Sequence, residues 1–157
     1  MNTTLGPVLD AFAARDLSAL AANGGLPAEL PVSAVVEHLR GDRDAYVRFF
    51  LGEPPQEAFW TPAPVAGFAT VKIWFRNETV VKLHGEWPQL DVTAAAVLGA
   101  PDDRLDEQQE DLWSGHGIAL ATDEPGDVVA SLSLFAPTTP TTYRQTLASV
   151  IEYREWE

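Results

Sequence analysis

The stretch that decides the fold is residues 68–83, which read FATVKIWFRNETVVKL. Two runs rich in β-branched and aromatic residues flank a short polar break, and this pattern predicts an antiparallel hairpin. Because side chains alternate along a strand, the first run would place three apolar residues on one face and a more polar set on the other. The two sets are Val71, Ile73 and Phe75, and Thr70, Lys72 and Trp74. Trp74 beside Lys72 predicts a partly exposed indole that either packs against a neighbouring element or faces a ligand.

A second hairpin is predicted downstream, with strands over residues 117–121 and 128–135. The turn between them reads DEPGD, in which Pro125-Gly126 is a strong turn signal. A short helix over residues 94–98 precedes it and ends at Gly99. A last helix is expected from Thr142 to about residue 153, with Leu147 on its apolar stripe.

The first third of the chain has a helical period. Apolar residues recur every three to four positions over residues 4–22, which predicts one or two helices ending at Asn23-Gly24-Gly25. A second helix should follow Pro31, and a third, capped by Asp42, should extend to Phe50. The Pro-rich residues 54–64 are interpreted as a linker.

These elements predict a single α+β domain over residues 1–157. An N-terminal helical unit, residues 1–53, would pack on an antiparallel sheet of two hairpins. Residues 65–157 would form that sheet and a C-terminal helix.

The composition of the chain excludes several classes of function. The 157 residues carry 23 acids and 10 bases, a net charge of −13, with no cysteine and 46% hydrophobic residues. This is a globular composition, without disulfides or thiolate chemistry. The charge argues against nucleic-acid and anionic-membrane partners, which are held by Lys and Arg. With no long apolar run and no signal-type N-terminus, we expect a soluble, cytoplasmic protein. The scarcity of lysine and the frequent Ala, Arg, Pro and Asp indicate a bacterial source.

The negative charge is concentrated in the second half of the chain. Residues 1–80 hold nine acids and six bases, whereas residues 81–157 hold fourteen acids and four bases. The densest run is Asp102, Asp103, Asp106, Glu107, Glu110 and Asp111. We expect this run to be solvated, or to contact a basic partner. Trp113 follows it, and would be either an aromatic anchor for that partner or a cap on the core below.

Motifs for catalysis, metals and cofactors are lacking. There is no nucleophile elbow, no HExxH, no calcium loop and no phosphate-binding glycine loop, so no catalytic residue, metal or cofactor is predicted. Ser114-Gly115-His116-Gly117 is the nearest approach to a reactive cluster. An alternative function is therefore a small-molecule binding module or enzyme. Its cleft would be lined by Trp74, His84, Ser114 and His116.

The order of elements over residues 92–135 is similar to that of a known group of small domains. A short helix ends in Leu98-Gly99-Ala100-Pro101, an aromatic segment follows at residues 113–116, and Gly117-Ile118-Ala119-Leu120 leads through an acidic turn into a second apolar strand. This layout resembles small bacterial α+β modules such as the β-lactamase-inhibitor-protein repeat and the outer-membrane-assembly lipoprotein fold. The resemblance implies a protein-binding role and assigns no site residue.

The leading hypothesis is a non-catalytic acidic domain that binds another protein, a basic one. A bacterial immunity protein that neutralises a basic toxin such as a nuclease is its concrete form, because such a protein places carboxylates where the toxin holds phosphates. Another partner-regulating role, on the product of its own operon, has the same sequence signature.

Overall fold

The computed structural model describes residues 5–27, 29–31, 33–35, 47–51, 56–60, 67–76, 78–90, 92–106 and 109–147. These residues form an α+β fold in which one antiparallel sheet separates two N-terminal helices from a C-terminal helix. The predicted fold class is therefore confirmed.

The N-terminal helices are α1, Leu5–Ala14, and α2, Leu17–Asn23. Asp16 separates them and caps α2, since its carboxylate accepts a hydrogen bond of 3.1 Å from the Ala19 N–H. Gly24, with φ 76°, ends α2 in the left-handed conformation that the Asn-Gly-Gly stop predicts. Residues 33–35 are helical, as expected after Pro31, and the rest of that predicted helix lies outside the described residues.

The sheet has eight strands. They are β1 Val47–Leu51, β2 Gln56–Trp60, β3 Thr70–Arg76, β4 Thr79–Glu86, β5 Asp103–Leu105, β6 Glu110–Trp113, β7 Ile118–Thr122 and β8 Val129–Leu134. Their spatial order is β1-β2-β3-β4-β8-β7-β6-β5. Two four-stranded meanders are thus joined along β4 and β8, where Leu83 lies opposite Leu134 and Gly85 opposite Leu132. Both predicted hairpins, β3–β4 and β7–β8, are confirmed.

Four further strands correct the sequence prediction. Residues 47–51 form β1 where a helix was expected, and residues 56–60 form β2 inside the supposed linker, so the helical unit does not extend to residue 53. In a run this short, apolar periodicity does not separate helix from strand, and pairing with β3 decides in favour of the strand. The acidic run, for which no strand was predicted, contributes β5 and β6.

The larger core lies between the sheet and the N-terminal helices. The rings of Phe12 and Phe68 stack with centroids 4.8 Å apart, and the backbone of β4 passes close to them at Gly85. A Cβ at residue 85 would overlap the Phe68 ring, so a glycine is needed there. Strand residues on this face include Val71, Ile73, Phe75, Leu83, Ile118, Leu120, Leu132 and Leu134.

The opposite face carries the C-terminal helix. It begins as an α-turn at Pro140–Thr142, capped by Thr139, and continues as a π-helix at Tyr143–Leu147. A smaller apolar cluster lies beneath it, made of Leu105, Leu112, Ala119, Phe135 and Tyr143. The predicted 94–98 helix is a 3-10 helix over Val92–Leu98, and a second 3-10 turn covers Ser114–His116. Within the described ranges, every helix is too short or too polar to cross a bilayer.

Candidate functional site

The acidic hairpin, strands β5 and β6 with the residues that flank them, is partly neutralised within the fold. Arg104 Nη1 lies 2.9 Å from Asp111 Oδ1, and its Nε lies 3.4 Å from Asp106 Oδ1. Arg144 reaches across from the C-terminal helix, and its Nε donates to Asp103 Oδ2 at 2.8 Å. This hydrogen bond holds the pKa of the Asp103 carboxyl below its usual value. The two arginines therefore engage three of the predicted partner-binding carboxylates.

Asp102 has a local structural role. Its carboxylate accepts hydrogen bonds from the Ser114 backbone N–H, at 3.2 Å, and from the Ser114 hydroxyl. It thereby closes the 3-10 turn that precedes β7. Ser114 is buried and its hydroxyl donates to Asp102, while His116 is exposed, so the proposed reactive pair does not form a nucleophile with its base.

Glu110 is not solvated, which contradicts the expectation for the acidic run. Its side chain is 1% exposed, and its Oε1 accepts a hydrogen bond of 2.7 Å from the Tyr143 hydroxyl. That hydroxyl accepts a hydrogen bond of 2.7 Å from Nζ of the fully buried Lys82. The chain from Lys82 through Tyr143 to Glu110 places a buried positive group near the carboxylate, so Glu110 can occupy the interior. Burial, and then the Glu110 charge, raise the pKa of the Tyr143 hydroxyl far above its usual value.

Trp113 belongs to the core. Its side chain is 5% exposed, and its indole N–H donates to the Gly99 carbonyl at 3.1 Å. Of the two roles considered for it, the structure shows the cap on the core. Glu107 lies outside the described residues. Partner binding by the carboxylates that remain at the surface, Asp102, Asp103, Asp106 and Asp111, stays a prediction.

Three of the four residues predicted to line the alternative cleft lie in the interior of the fold. Trp74, His84 and Ser114 are buried, whereas His116 is exposed at the turn before β7. The partly exposed indole expected of Trp74 is wrong, since its ring is 1% exposed. Of the four, His84 alone lines the cavity described next.

That cavity, here called the Trp87 cleft, opens at the end of β4 beside β7 and β8. Its volume is about 180 Å³, and its lining is His84, Glu86, Trp87, Ala121, Thr122, Ala130 and Ser131. Trp87 is 51% exposed and has φ 51°, a left-handed backbone that costs about 1–3 kcal/mol for a bulky residue. The backbone N–H of Trp87 donates a hydrogen bond of 2.8 Å to the Ala130 carbonyl, and this bond fixes the backbone that carries the exposed indole.

A polar row forms the wall of the cleft. His84 Nδ1 lies 2.8 Å from the Ser133 hydroxyl, and His84 Nε2 lies 3.6 Å from Glu86 Oε2. The same Glu86 oxygen lies 3.5 Å from Nζ of Lys72. Ser131 is only 6% exposed, and its hydroxyl makes no hydrogen bond within the described part of the chain. The wall thus presents a carboxylate and a hydroxyl near the exposed indole.

The turn beside the cleft is acidic. Asp123, which directly follows the lining residue Thr122, uses Oδ1 to accept hydrogen bonds from three backbone N–H groups of the turn, the shortest 2.9 Å long. Glu124 and Asp127 are exposed. No Lys or Arg occurs between Arg104 and Arg144, so the β7–β8 hairpin has no basic residue of its own.

Sequence reasoning missed the Trp87 cleft. Several tryptophans lie near predicted element ends, Trp87 among them, and the acidic run beside Trp113 favoured Trp113 as the aromatic anchor. The available signal was the run Glu86-Trp87-Pro88 at a strand end, together with a hairpin that lacks any basic residue.

The described residues contain no group of three or more His, Cys, Asp or Glu that could hold a metal ion. Comparison of the chain with protein-family models, with curated proteins and with solved structures finds no match. The resemblance of residues 92–135 to the β-lactamase-inhibitor-protein repeat therefore stays a prediction.

Proposed function

We propose that the protein is a non-catalytic domain that binds a basic protein partner. The observation that supports this most is the surface at the end of β4 and the start of β8. Trp87, which directly follows β4, is 51% exposed, and Val128, which directly precedes β8, is 39% exposed. The turn that joins β7 to β8 adds three carboxylates and no cation.

This combination suits a basic partner for two separate physical reasons. Unneutralised carboxylates attract an oppositely charged protein over a Debye length of about 10 Å and raise the rate of encounter. A large aromatic side chain that becomes buried on binding slows dissociation, and tryptophan is among the commonest hot-spot residues. The acidic hairpin, with Asp102, Asp103, Asp106 and Asp111, is a second contact region of lower net charge, because Arg104 and Arg144 already pair with three of these carboxylates.

The concrete form is a bacterial, cytoplasmic immunity protein that neutralises a basic toxin such as a nuclease. A protein that regulates some other basic partner would need the same acidic surface and exposed aromatic side chain. A small-molecule enzyme has less support. The Trp87 cleft, at about 180 Å³, is smaller than the roughly 300–1,000 Å³ of ordinary ligand pockets. A second cleft, between Val80 and Pro137, reaches about 380 Å³, but among the described residues that line it Glu29 is the only charged one and none is a histidine.

The test is capture of binding proteins from an extract of the source cell on the immobilised protein, followed by titration of the captured protein in purified form. Trp87→Ala is compared with Val97→Ala, which removes an equally exposed apolar side chain from the 3-10 helix. We expect the tryptophan variant to bind about 30-fold or more weakly, and the valine variant to change affinity less than about twofold.

The electrostatic part is tested by single charge removals. Glu124→Gln removes a charge from the turn, and Asp106→Asn removes one from the acidic hairpin. We expect at least one of them to slow association and flatten its dependence on salt. The proposal fails if no basic protein is captured, or if affinity is unchanged by Trp87→Ala, by both charge removals and by added salt.

A further inference from the structure

We infer that the Trp87 cleft is a socket for one cationic side chain, the ammonium of a lysine or the guanidinium of an arginine, presented by the partner. This inference rests on the proposed function and assigns the contact to a particular place in the fold.

The size of the cleft fits a single polar head group. Its volume of about 180 Å³ lies below the roughly 300–1,000 Å³ of pockets that hold drug-sized ligands. A lysine or arginine terminus fills such a space, whereas a nucleotide or a folded loop does not.

The charge around the cleft selects a cation. Glu86 lines the wall, and the carboxylates of Asp123, Glu124 and Asp127 follow in the adjoining turn. Glu86 is the one carboxylate among the described lining residues, and Lys72, whose Nζ lies 3.5 Å from Glu86 Oε2, is the nearby opposing charge outside the lining. With the three carboxylates of the turn included, negative charge exceeds positive charge around the cleft, so an anionic guest is repelled and a cationic guest is attracted.

The polar and aromatic groups supply the geometry. Ser131 is 6% exposed, it lines the cleft, and no hydrogen bond is made by its hydroxyl among the described residues, so the hydroxyl oxygen can accept a hydrogen bond from an N–H of the guest. The exposed Trp87 ring can cover the guest's positive head group through its π face. A hydroxyl acceptor and an aromatic face in one small cleft suit a donor-rich cation.

The test uses Nα-acetyl-arginine amide as the probe, with Nα-acetyl-citrulline amide as its neutral isostere. Binding is followed by two-dimensional NMR of the labelled full chain. We expect saturable shifts confined to the backbone amides around residues 84–87, 122 and 130–131 and to the Trp87 indole. The dissociation constant should be on the order of 1 mM, as for one isolated charged contact. The citrulline probe should bind at least tenfold more weakly.

Two variants locate the contact. Ser131→Ala removes the unpartnered hydroxyl and should weaken arginine-amide binding about fivefold, while Ser18→Ala, at an exposed serine on α2, should leave it unchanged. Glu86→Gln should weaken it about tenfold. If Glu86→Gln also lowers the melting temperature, because Lys72 loses its partner, the Ser131 comparison decides.

The inference is overturned if arginine amide gives no saturable shift, if citrulline amide binds equally well, or if Ser131→Ala matches Ser18→Ala. If capture of a basic protein still depends on Trp87 in that case, the proposed function stands and only the socket is wrong. If the arginine probe binds as expected but no basic protein is captured, the socket stands and the proposed function is wrong.

Discussion

Replacing Tyr143 by phenylalanine should destabilise the protein strongly, because one hydroxyl links two buried charged groups. The hydroxyl accepts from Lys82 Nζ and donates to Glu110 Oε1, each at 2.7 Å. A hydrogen bond to a charged group contributes about 1.5–3 kcal/mol, and the substitution removes two such bonds, although Lys82 Nζ keeps its 3.4 Å contact with the Leu147 carbonyl. The ring itself remains, so packing against Phe135 is kept.

We therefore expect Tyr143→Phe to lower the free energy of unfolding by about 3–4 kcal/mol, a large part of the roughly 5–15 kcal/mol typical of a domain. For a chain of this length the melting temperature should fall by about 10 °C. Urea denaturation followed by circular dichroism measures the change. Thr146→Val is the matched control. It removes a hydroxyl from the same helix, but that hydroxyl is exposed and bonds only to the Thr142 carbonyl, so a loss below about 0.5 kcal/mol is expected.

A double-mutant cycle with Glu110→Gln checks the cause. Glutamine can still accept from the tyrosine hydroxyl but removes the negative charge, so the two substitutions should couple by about 1–3 kcal/mol. A loss for Tyr143→Phe below about 1 kcal/mol, or additive effects of the two substitutions, would refute the view that this hydroxyl holds the buried charges together.

Two further outcomes follow from the same structure. Gly117→Ala should lower the free energy of unfolding by more than about 2 kcal/mol, because Gly117 has φ 67° and a Cβ there would overlap the Phe135 carbonyl oxygen. Gly99→Ala, at φ 75° with open space around it, should lower the free energy of unfolding by only about 1 kcal/mol. Equal losses for the two variants in chemical denaturation would contradict this. Stability should also fall as the pH rises past about 10, because Tyr143 ionises in the unfolded chain near its ordinary value of 10.0 while burial keeps it protonated in the fold. The fall in the free energy of unfolding above pH 10 should disappear in Tyr143→Phe. If stability still falls with pH in that variant, other groups cause the effect.

The sequence predicted those elements whose signals are local. The Asn23-Gly24-Gly25 stop lies where α2 ends, and the alternation in residues 68–83 and the Pro125-Gly126 turn mark the two hairpins that the structure contains. The strands β1 and β2 have five residues each, which is too short for a period to distinguish them from a helical turn. Their identity is set by pairing with β3.

The strands of the acidic hairpin were not predicted because their sequence is rich in carboxylates. In Glu110–Trp113 the side chains alternate between the two faces, so that Glu110 and Leu112 share one face and Asp111 and Trp113 the other. A carboxylate at an inward position reads as solvated unless its partner is known, and that partner system comes from β4 and the C-terminal helix. The Trp87 cleft was missed for a related reason, because it forms where the end of β4 meets the β7–β8 hairpin, which lies much later in the chain.

The junction of the two meanders has a consequence for the order of folding. β4 is synthesised well before its partner β8, and β8 lies between β4 and β7 in the finished sheet. A nascent chain can pair β1 to β4 through contacts between neighbouring strands, and the Leu30 carbonyl already accepts a hydrogen bond from the Val80 N–H at the start of β4. The outer backbone groups of residues 83–86, however, stay unpaired until β8 has been synthesised. Closing that gap is a long-range step, and such steps are slow and leave an edge that other chains can join. The centre of the native sheet is therefore the part most exposed to misassembly while the chain is being made.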